Sequence, residues 1–270
     1  MKRTKWEQRI NRAEDLAVIH PFAAEILHFY RHVAGLQKDL YLYFEAALGN
    51  IKRNTSMSFT LDSSFDLVLP KFRQFLSNLE TMAAQPIATS AHNLNSQDSD
   101  RCGKVLVSYR EHAADFPPAL GRAESLLAWL FLQPYAENLA DQAGSHPLPT
   151  KVSNCPFCSA RPLVGVLRRE GDGAKRSLIC SLCSTEWACG RLICPACGED
   201  NVDKLAVYTA LQFNHVRVEA CDTCSQYIKT VDLTKNGLAV PVVDELASIP
   251  LNFWAHEQGY VKLQANLLGI

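Results

Sequence analysis

The sequence has little net charge, no long apolar run and no signal-peptide pattern. Its 27 Lys and Arg residues nearly balance its 28 Asp and Glu residues, which leaves a formal net charge of −1. A chain without an excess of basic residues is a poor candidate for a nucleic-acid-binding protein. The segment from Met1 to Arg9 lacks the apolar core of about 7–15 residues that marks a signal peptide, and no run of about 18 apolar residues predicts a membrane span. We therefore expect a cytoplasmic protein without membrane insertion, in which thiols stay reduced.

Cysteine, by contrast, follows a regular pattern. Eight of the 10 cysteines form four Cys-x-x-Cys pairs, with 21 residues between the first two pairs and 23 between the last two. Two cysteines three residues apart on a tight turn can present both sulfurs to one metal ion, as half of a tetrahedral site. The spacing is typical of zinc ribbons and rubredoxin-like centres, and predicts two Cys₄ sites. Site one comprises Cys155, Cys158, Cys180 and Cys183, and site two comprises Cys194, Cys197, Cys221 and Cys224.

Two metal ions, iron or zinc, are the expected cofactors. Thiolates are soft ligands that suit both metals, so the ligand set does not separate them. Structural disulfides need an oxidising compartment, and a redox dithiol usually comes as a single pair near a βαβ pattern. Neither condition is visible here. A site filled by four thiolates has no position for a bound water, so metal-assisted hydrolysis is not expected.

The residue after each Cys-x-x-Cys turn differs between the four turns, which we call knuckles. Gly198 follows the third knuckle and can adopt the left-handed backbone that aims amides at sulfur. Serines at positions 159, 184 and 225 follow the others. Of the two cysteines outside the pairs, Cys102 is interpreted as a small buried apolar residue. Cys189 is interpreted as a spare thiol in a strand from Thr185 to Ile193, with a substitute ligand or reactive thiol as the alternative.

The first half of the chain has helical periodicity. Apolar residues at steps of three and four run from Phe22 to Ala47, and helices are also predicted for residues 70–82 and 126–139. Another helical stripe begins at Cys102, and the polar run 89–100 is a loop or a weak helix. Pro134 is expected to kink or split the helix in which it lies.

The second half of the chain reads as β-structure followed by helix. Strand-like segments 163–167 and 175–179, and then 205–210 and 215–220, form two hairpins between paired knuckles, and another strand is predicted for 227–233. After Pro241 the pattern is helical, divided by Pro250.

The sequence therefore predicts an α+β fold: an N-terminal helical domain followed by tandem rubredoxin-like or zinc-ribbon β modules and a C-terminal helical tail. The domains are residues 1–145, residues 151–240 (modules of about 151–190 and 191–240) and residues 241–270, with a linker near 144–150.

With these motifs in place, the chain resembles the formate dehydrogenase accessory protein family (FdhE-like). The resemblance covers nearly the whole chain and depends on the order of the motifs. They are Leu132-Gln-Pro-Tyr135, Cys155-Pro-Phe-Cys158, Cys180-Ser-Leu-Cys183, Thr185-Glu-Trp187, Cys194-Pro-Ala-Cys197-Gly198, Cys221-Asp-Thr-Cys224 and the tail from Asp244 to Tyr260. The resemblance implies a cytoplasmic assembly factor rather than an enzyme. Such a factor contacts the immature catalytic subunit of a twin-arginine-exported respiratory formate dehydrogenase, and its eight paired cysteines hold iron.

Two other functions remain as alternatives. A thiol–disulfide or electron-transfer redox protein would use the Cys-x-x-Cys pairs as exchanging dithiols or the metal as an electron carrier. A zinc-ribbon nucleic-acid-binding module would need positive charge. Residues 151–235 contain eleven Lys or Arg and nine Asp or Glu, and two filled Cys₄ sites would bring this segment to a net charge of −2. The basic group Arg168, Arg169, Lys175 and Arg176 is interpreted as a solvated hairpin tip.

Overall fold

The computed structural model describes residues 2–48, 65–114, 120–144, 153–267 and 269. The predicted α+β order is confirmed, since helices precede a sheet that carries both cysteine groups and two short helices follow. The helices before the sheet are α1 (Lys2–Ile19), α2 (Ala24–Leu48), α3 (Phe65–Met82), α4 (Gln85–Asn95), α5 (Ser99–Glu111) and α6 (Arg122–Ala143). The predicted linker, apart from Gly144, lies outside the described residues. Within the described ranges, no helix combines the length and the apolar character that a membrane span requires.

Helix α6 is the centre of the helical half. Every residue from Leu127 to Leu132 is buried, so this part of the helix has no solvent-exposed face. Phe131 contacts the rings of Phe72 and Phe75, with centroids 4.9 and 5.8 Å apart. Pro134 was predicted to kink or split this helix, and the split is wrong because α6 runs unbroken through Pro134. Packing on all sides holds the helix together although proline removes one backbone hydrogen bond.

Two other helices, α1 and α3, differ from the sequence prediction. Helix α1 was not predicted, because it buries only a narrow stripe that includes Trp6 and Leu16 within a strongly charged segment. Helix α3 begins five residues before Pro70. The polar run 89–100, predicted as a loop or a weak helix, contains the end of α4 and the start of α5, joined by residues 96–98. Asp98 caps α5 by accepting a hydrogen bond from the Arg101 amide at 2.7 Å. Cys102 is confirmed as a buried packing residue.

The two hairpins form one continuous sheet. Its strands are β1 (Pro162–Glu170), β2 (Gly173–Cys180), β3 (Glu186–Ala188), β4 (Leu205–Thr209), β5 (Val216–Cys221), β6 (Gln226–Asp232) and β7 (Val261–Lys262). Both predicted hairpins and the strand after them are confirmed. The strand order is β3-β2-β1-β6-β5-β4, and β7 pairs with β6. Strands β1 and β6 are parallel neighbours, so they join the ribbon of site one (strands β1–β3) to the ribbon of site two (strands β4–β6).

Two features of this sheet correct the sequence interpretation. The expected strand 185–193 is wrong in length, because β3 covers only three residues and the chain then turns towards site two. Arg176 does not lie at a solvated tip. Its side chain is 1% exposed and forms an ion pair with Glu219 of the other ribbon at 2.6 Å, while Arg168 pairs with Glu186 on the exposed side.

The tail folds back on the sheet. Helices α7 (Pro241–Ala247) and α8 (Ile249–Glu257) are separated near Pro250, as predicted, and β7 follows them. Asp244 connects three parts of the molecule, because it accepts hydrogen bonds from Arg12 of α1 at 2.6 Å and from His215 beside β5 at 2.8 Å. Burial by itself would raise the pKa of Asp244, but the bonds from His215 and Arg12 outweigh burial and hold it below its usual value.

The seam between β1 and β6 depends on a glycine, which gives a first prediction. Gly165 lies opposite Thr230, and a Cβ at this position would approach the Thr230 hydroxyl oxygen to 2.2 Å. We expect Gly165→Ala to lower the free energy of unfolding by about 1–3 kcal/mol, because the added methyl overpacks a buried seam. Chemical denaturation measures this change.

Two further variants separate the effect of the close contact with Thr230 from the effect of losing a glycine. A Cβ at Gly35, in the interior of α2, meets no atom within 4 Å, so Gly35→Ala should raise the free energy of unfolding by up to about 1 kcal/mol. Combining Gly165→Ala with Thr230→Ala should recover part of the loss. An unchanged unfolding midpoint for Gly165→Ala alone would contradict the close approach of the two strands.

Candidate metal centres

The structure brings the eight paired cysteines together in two groups of four. In site one, the Cys155–Cys183 sulfur distance is 3.5 Å, and Cys158 lies 3.4 Å from both Cys180 and Cys183. In site two, the Cys194–Cys224 and Cys197–Cys221 sulfur distances are 3.8 and 3.7 Å. All four sulfurs of each group lie within 4.8 Å of one another. The first and second knuckles therefore form site one, and the third and fourth knuckles form site two.

These distances fit a tetrahedral metal–thiolate site. Four sulfurs at about 2.3 Å from a central ion lie about 3.8 Å apart along each edge of the tetrahedron. The two sulfur–sulfur distances given for site two have this length, and the three given for site one are slightly shorter. A disulfide would need two sulfurs about 2 Å apart, and no cysteine in the described ranges is so bonded. The donor set suits zinc or ferrous and ferric iron.

Each knuckle has the backbone turn that directs amides towards sulfur. The residue after every knuckle has a positive φ: 62° at Ser159, 55° at Ser184, 79° at Gly198 and 53° at Ser225. The Cys180 sulfur accepts hydrogen bonds from the amides of Leu182 and Cys183, at 3.3 and 3.4 Å. Such amide donors stabilise a thiolate. Three non-glycine residues in a left-handed conformation indicate that the turns are held by the surrounding structure.

The thiols of each group compete for protons. In site one, hydrogen bonds from the thiols of Cys158, Cys180 and Cys183 lower the pKa of Cys155, whereas burial raises the pKa of Cys180. In site two, burial raises the pKa of Cys194 to about 11. Four thiolates at these distances repel one another, and a divalent or trivalent cation removes that repulsion. The site can therefore exist in its fully ionised form when a metal is bound.

Cys189 belongs to neither group of four cysteines. Its thiol instead contacts the guanidinium of Arg176. Its sulfur accepts a hydrogen bond from Arg176 at 3.1 Å, and the same Arg176 nitrogen donates to the carbonyl of Gly190 at 3.0 Å. Burial raises the pKa of Cys189 and the charge of Arg176 opposes that effect. The sequence did not predict these hydrogen bonds of Arg176, because no local pattern marks Arg176 as buried.

The comparisons with known proteins point to one family. The domain described as "FdhE, central domain" matches residues 154–191, which contain site one, and "FdhE, C-terminal domain" matches residues 193–268, which contain site two. A protein FdhE homolog of Aquifex aeolicus is 27% identical over 285 residues, spanning 99% of this chain and 96% of the relative. One from Haemophilus influenzae strain PittEE is 26% identical, spanning 97% of this chain and 87% of the relative.

A solved structure has the same fold. The crystal structure of the FdhE protein from Pseudomonas aeruginosa superimposes on this chain with a TM-score of 0.69 and 23% sequence identity. The match covers 98% of this chain and 96% of that one. The likeness thus includes the helical half, which the two matched domains do not cover.

Proposed function

Because the chain is an FdhE-like protein, with FdhE domains over both cysteine sites and an FdhE fold, we propose that it is a cytoplasmic accessory factor for the maturation of a respiratory formate dehydrogenase. It binds the immature catalytic subunit, before that subunit is exported by the twin-arginine route, and acts as a binding protein rather than as an enzyme. The observation that carries the proposal is the pair of closed Cys₄ groups within the matched domains.

Two bound metal ions would complete the fold of the two ribbons. Site one would hold its ion through Cys155, Cys158, Cys180 and Cys183, and site two through Cys194, Cys197, Cys221 and Cys224. A bound ion supplies crosslinking between knuckles and, if it is iron, the capacity to exchange one electron. With four protein thiolates around each ion, no position is left for substrate, which supports an assembly role over hydrolysis.

Binding to the catalytic subunit is tested with purified components. The metal-loaded chain is mixed with the cofactor-free catalytic subunit and analysed by size-exclusion chromatography and calorimetry. We expect a stable complex with the immature subunit and weaker binding to the mature one, since an accessory factor must dissociate. The catalytic subunit of an unrelated exported oxidoreductase serves as the control. Equal binding to both subunits, or none to either, would contradict the proposal.

The same preparation distinguishes the two alternative functions. Exchanging dithiols predict thiols that react rapidly with a thiol reagent and turnover of a disulfide substrate, whereas metal-bound thiolates predict slow modification and no turnover. A nucleic-acid module predicts salt-sensitive binding to DNA or RNA. We expect no such binding, because Arg168 and Lys175 are already paired with acidic side chains.

A further inference from the structure

The two cysteine groups are symmetric in sequence but lie in different surroundings. In site one, Cys155, Cys180 and Cys183 are buried at 1–2% exposure, and they belong to the same apolar core as Phe131 and Leu130 of α6. The fourth cysteine of site one, Cys158, is half-buried. In site two, Cys194 and Cys221 are buried, but Cys224 is half-buried and Cys197 is exposed. Site one is thus the more deeply buried site, and site two reaches the surface at Cys197.

The second knuckle of site one is bonded directly to the helical half. The carbonyl of Ser181, between Cys180 and Cys183, accepts hydrogen bonds from the Trp129 indole at 3.0 Å and from the Gln133 amide at 2.9 Å, both on α6. The hydroxyl of Ser184, which follows the knuckle, accepts a bond from Arg9 of α1 at 3.1 Å.

These donors are themselves held in place. Arg9 pairs with the buried Glu137 of α6 at 2.9 Å, and the Gln37 amide of α2 donates to the Gln133 side chain at 2.7 Å. Two helices, α1 and α6, therefore bond directly to the second knuckle of site one, and α2 holds one of the donors in place.

The knuckles of site two are bonded to their own ribbon and to the tail. The Thr223 hydroxyl donates to Glu199 at 2.6 Å, and the Tyr260 hydroxyl donates to Asp222 at 2.7 Å. Among the residues that the structure describes, no side chain of α1–α6 donates a hydrogen bond to either knuckle. Removing the ion from site two would therefore loosen a surface ribbon and leave the helix contacts of site one intact.

We propose that the two sites have different tasks: site one locks the sheet to the helical half, and site two holds an exchangeable ion at the surface. This inference rests on the proposed binding of one ion per site. Release at site two begins where Cys197 is exposed. There an incoming ligand would replace the Cys197 sulfur without any change of oxidation state, and the released Cys197 thiolate would take up a proton from water.

Metal release from the full-length chain tests the proposal. The protein is loaded with two zinc ions and mixed with excess chromogenic chelator under reducing conditions. We expect one ion to leave in a fast phase with no change in helical circular dichroism, and the other in a slow phase accompanied by a change in tryptophan fluorescence, because Trp129 contacts site one. Cys197→Ser should remove the fast phase and keep the slow one.

Conservative variants keep the test independent of misfolding. Trp129→Phe and Gln133→Leu each delete one hydrogen bond to Ser181 and should accelerate the slow phase about fivefold, which corresponds to one bond, without changing the fast phase. Tyr260→Phe is the matched control and should affect only the fast phase. A single release rate for both ions, or a fast phase that survives Cys197→Ser, would overturn the division of tasks. Failure to bind two ions at all would instead refute the proposed metal function.

Discussion

Removal of both metal ions is expected to abolish cooperative folding of residues 153–240. Small ribbons bury too little apolar surface to fold alone, and a structural zinc site can contribute about 10–16 kcal/mol of apparent free energy in isolated peptides. The contribution per site is smaller here because the sheet also packs on α6 and α7. We expect strand circular dichroism and the thermal unfolding midpoint to fall on chelation under reducing conditions, and both to return when zinc or ferrous iron is added.

Cysteines outside the two sites supply the control for this prediction. Cys102 is buried between helices, and Cys189 lies beside Arg176, so neither is placed to bind the ions. Cys189→Ser should retain two ions per chain and an unchanged response to chelation. Cys180→Ser should lose the ion of site one. If the metal-free protein unfolds at the same temperature as the loaded protein, the ions do not stabilise the fold.

Glu245→Gln is expected to lower the free energy of unfolding by about 3–5 kcal/mol, because it leaves buried charge without a partner. Glu245 of α7 is fully buried and faces two lysines, Lys229 of β6 at 3.0 Å and Lys262 of β7. Its carboxylate also accepts a bond from Asn266 at 3.2 Å. This cluster attaches the tail to the sheet. Denaturation at pH 6, below the Lys229 pKa of about 7, measures the loss.

Two other substitutions serve as controls for the loss of stability in Glu245→Gln. Glu257→Gln removes an exposed carboxylate from α8 and should change the free energy of unfolding by less than about 0.5 kcal/mol. Lys229→Met should cost less than Glu245→Gln, because it leaves the balanced pair of Glu245 and Lys262. Equal stability of the Glu245→Gln and Glu257→Gln proteins would show that the buried cluster does not hold the tail.

The same cluster predicts a pH dependence. Burial lowers the pKa of Lys229 to about 7, from an ordinary value of 10.5, and the charge of Glu245 only partly opposes burial. Between these two values the unfolded chain holds a proton that the folded chain has released, so the free energy of unfolding should rise with pH through this window. Lys229→Met should remove that rise. A rise of the same slope in Lys229→Met would assign it to other groups.

The sequence predicts the structural features that depend on residues close together in the chain. Knuckle spacing predicts the grouping of the cysteines because each Cys-x-x-Cys turn and each hairpin is built from neighbouring residues. The glycines at 171 and 173 mark the turn between β1 and β2 for the same reason. The division of the tail near Pro250 follows from the missing amide of proline. In the helical half, a stripe of apolar residues is enough to predict α2 and most of α3.

Contacts between residues that are far apart in the chain leave no recognisable pattern in the sequence. The parallel pairing of β1 with β6 joins residues 165 and 230, and no local pattern separates one continuous sheet from two tandem ribbons. Arg176 resembles an exposed basic residue until Glu219 of the other ribbon is brought to it. The unequal burial of the two metal sites depends on α6, and the bonds from Trp129 and Gln133 to Ser181 span about fifty residues. The sequence alone therefore does not tell whether the two sites are equivalent.

The most direct test of the account is metal analysis combined with X-ray absorption on protein purified without oxygen. We predict two ions per chain, iron or zinc, each surrounded by four sulfur atoms at about 2.3 Å. Visible absorption that bleaches on reduction would identify the metal as iron, and a colourless protein would identify it as zinc. Fewer than two ions per chain, or nitrogen and oxygen ligands in place of sulfur, would contradict the assignment of the eight paired cysteines as two metal sites.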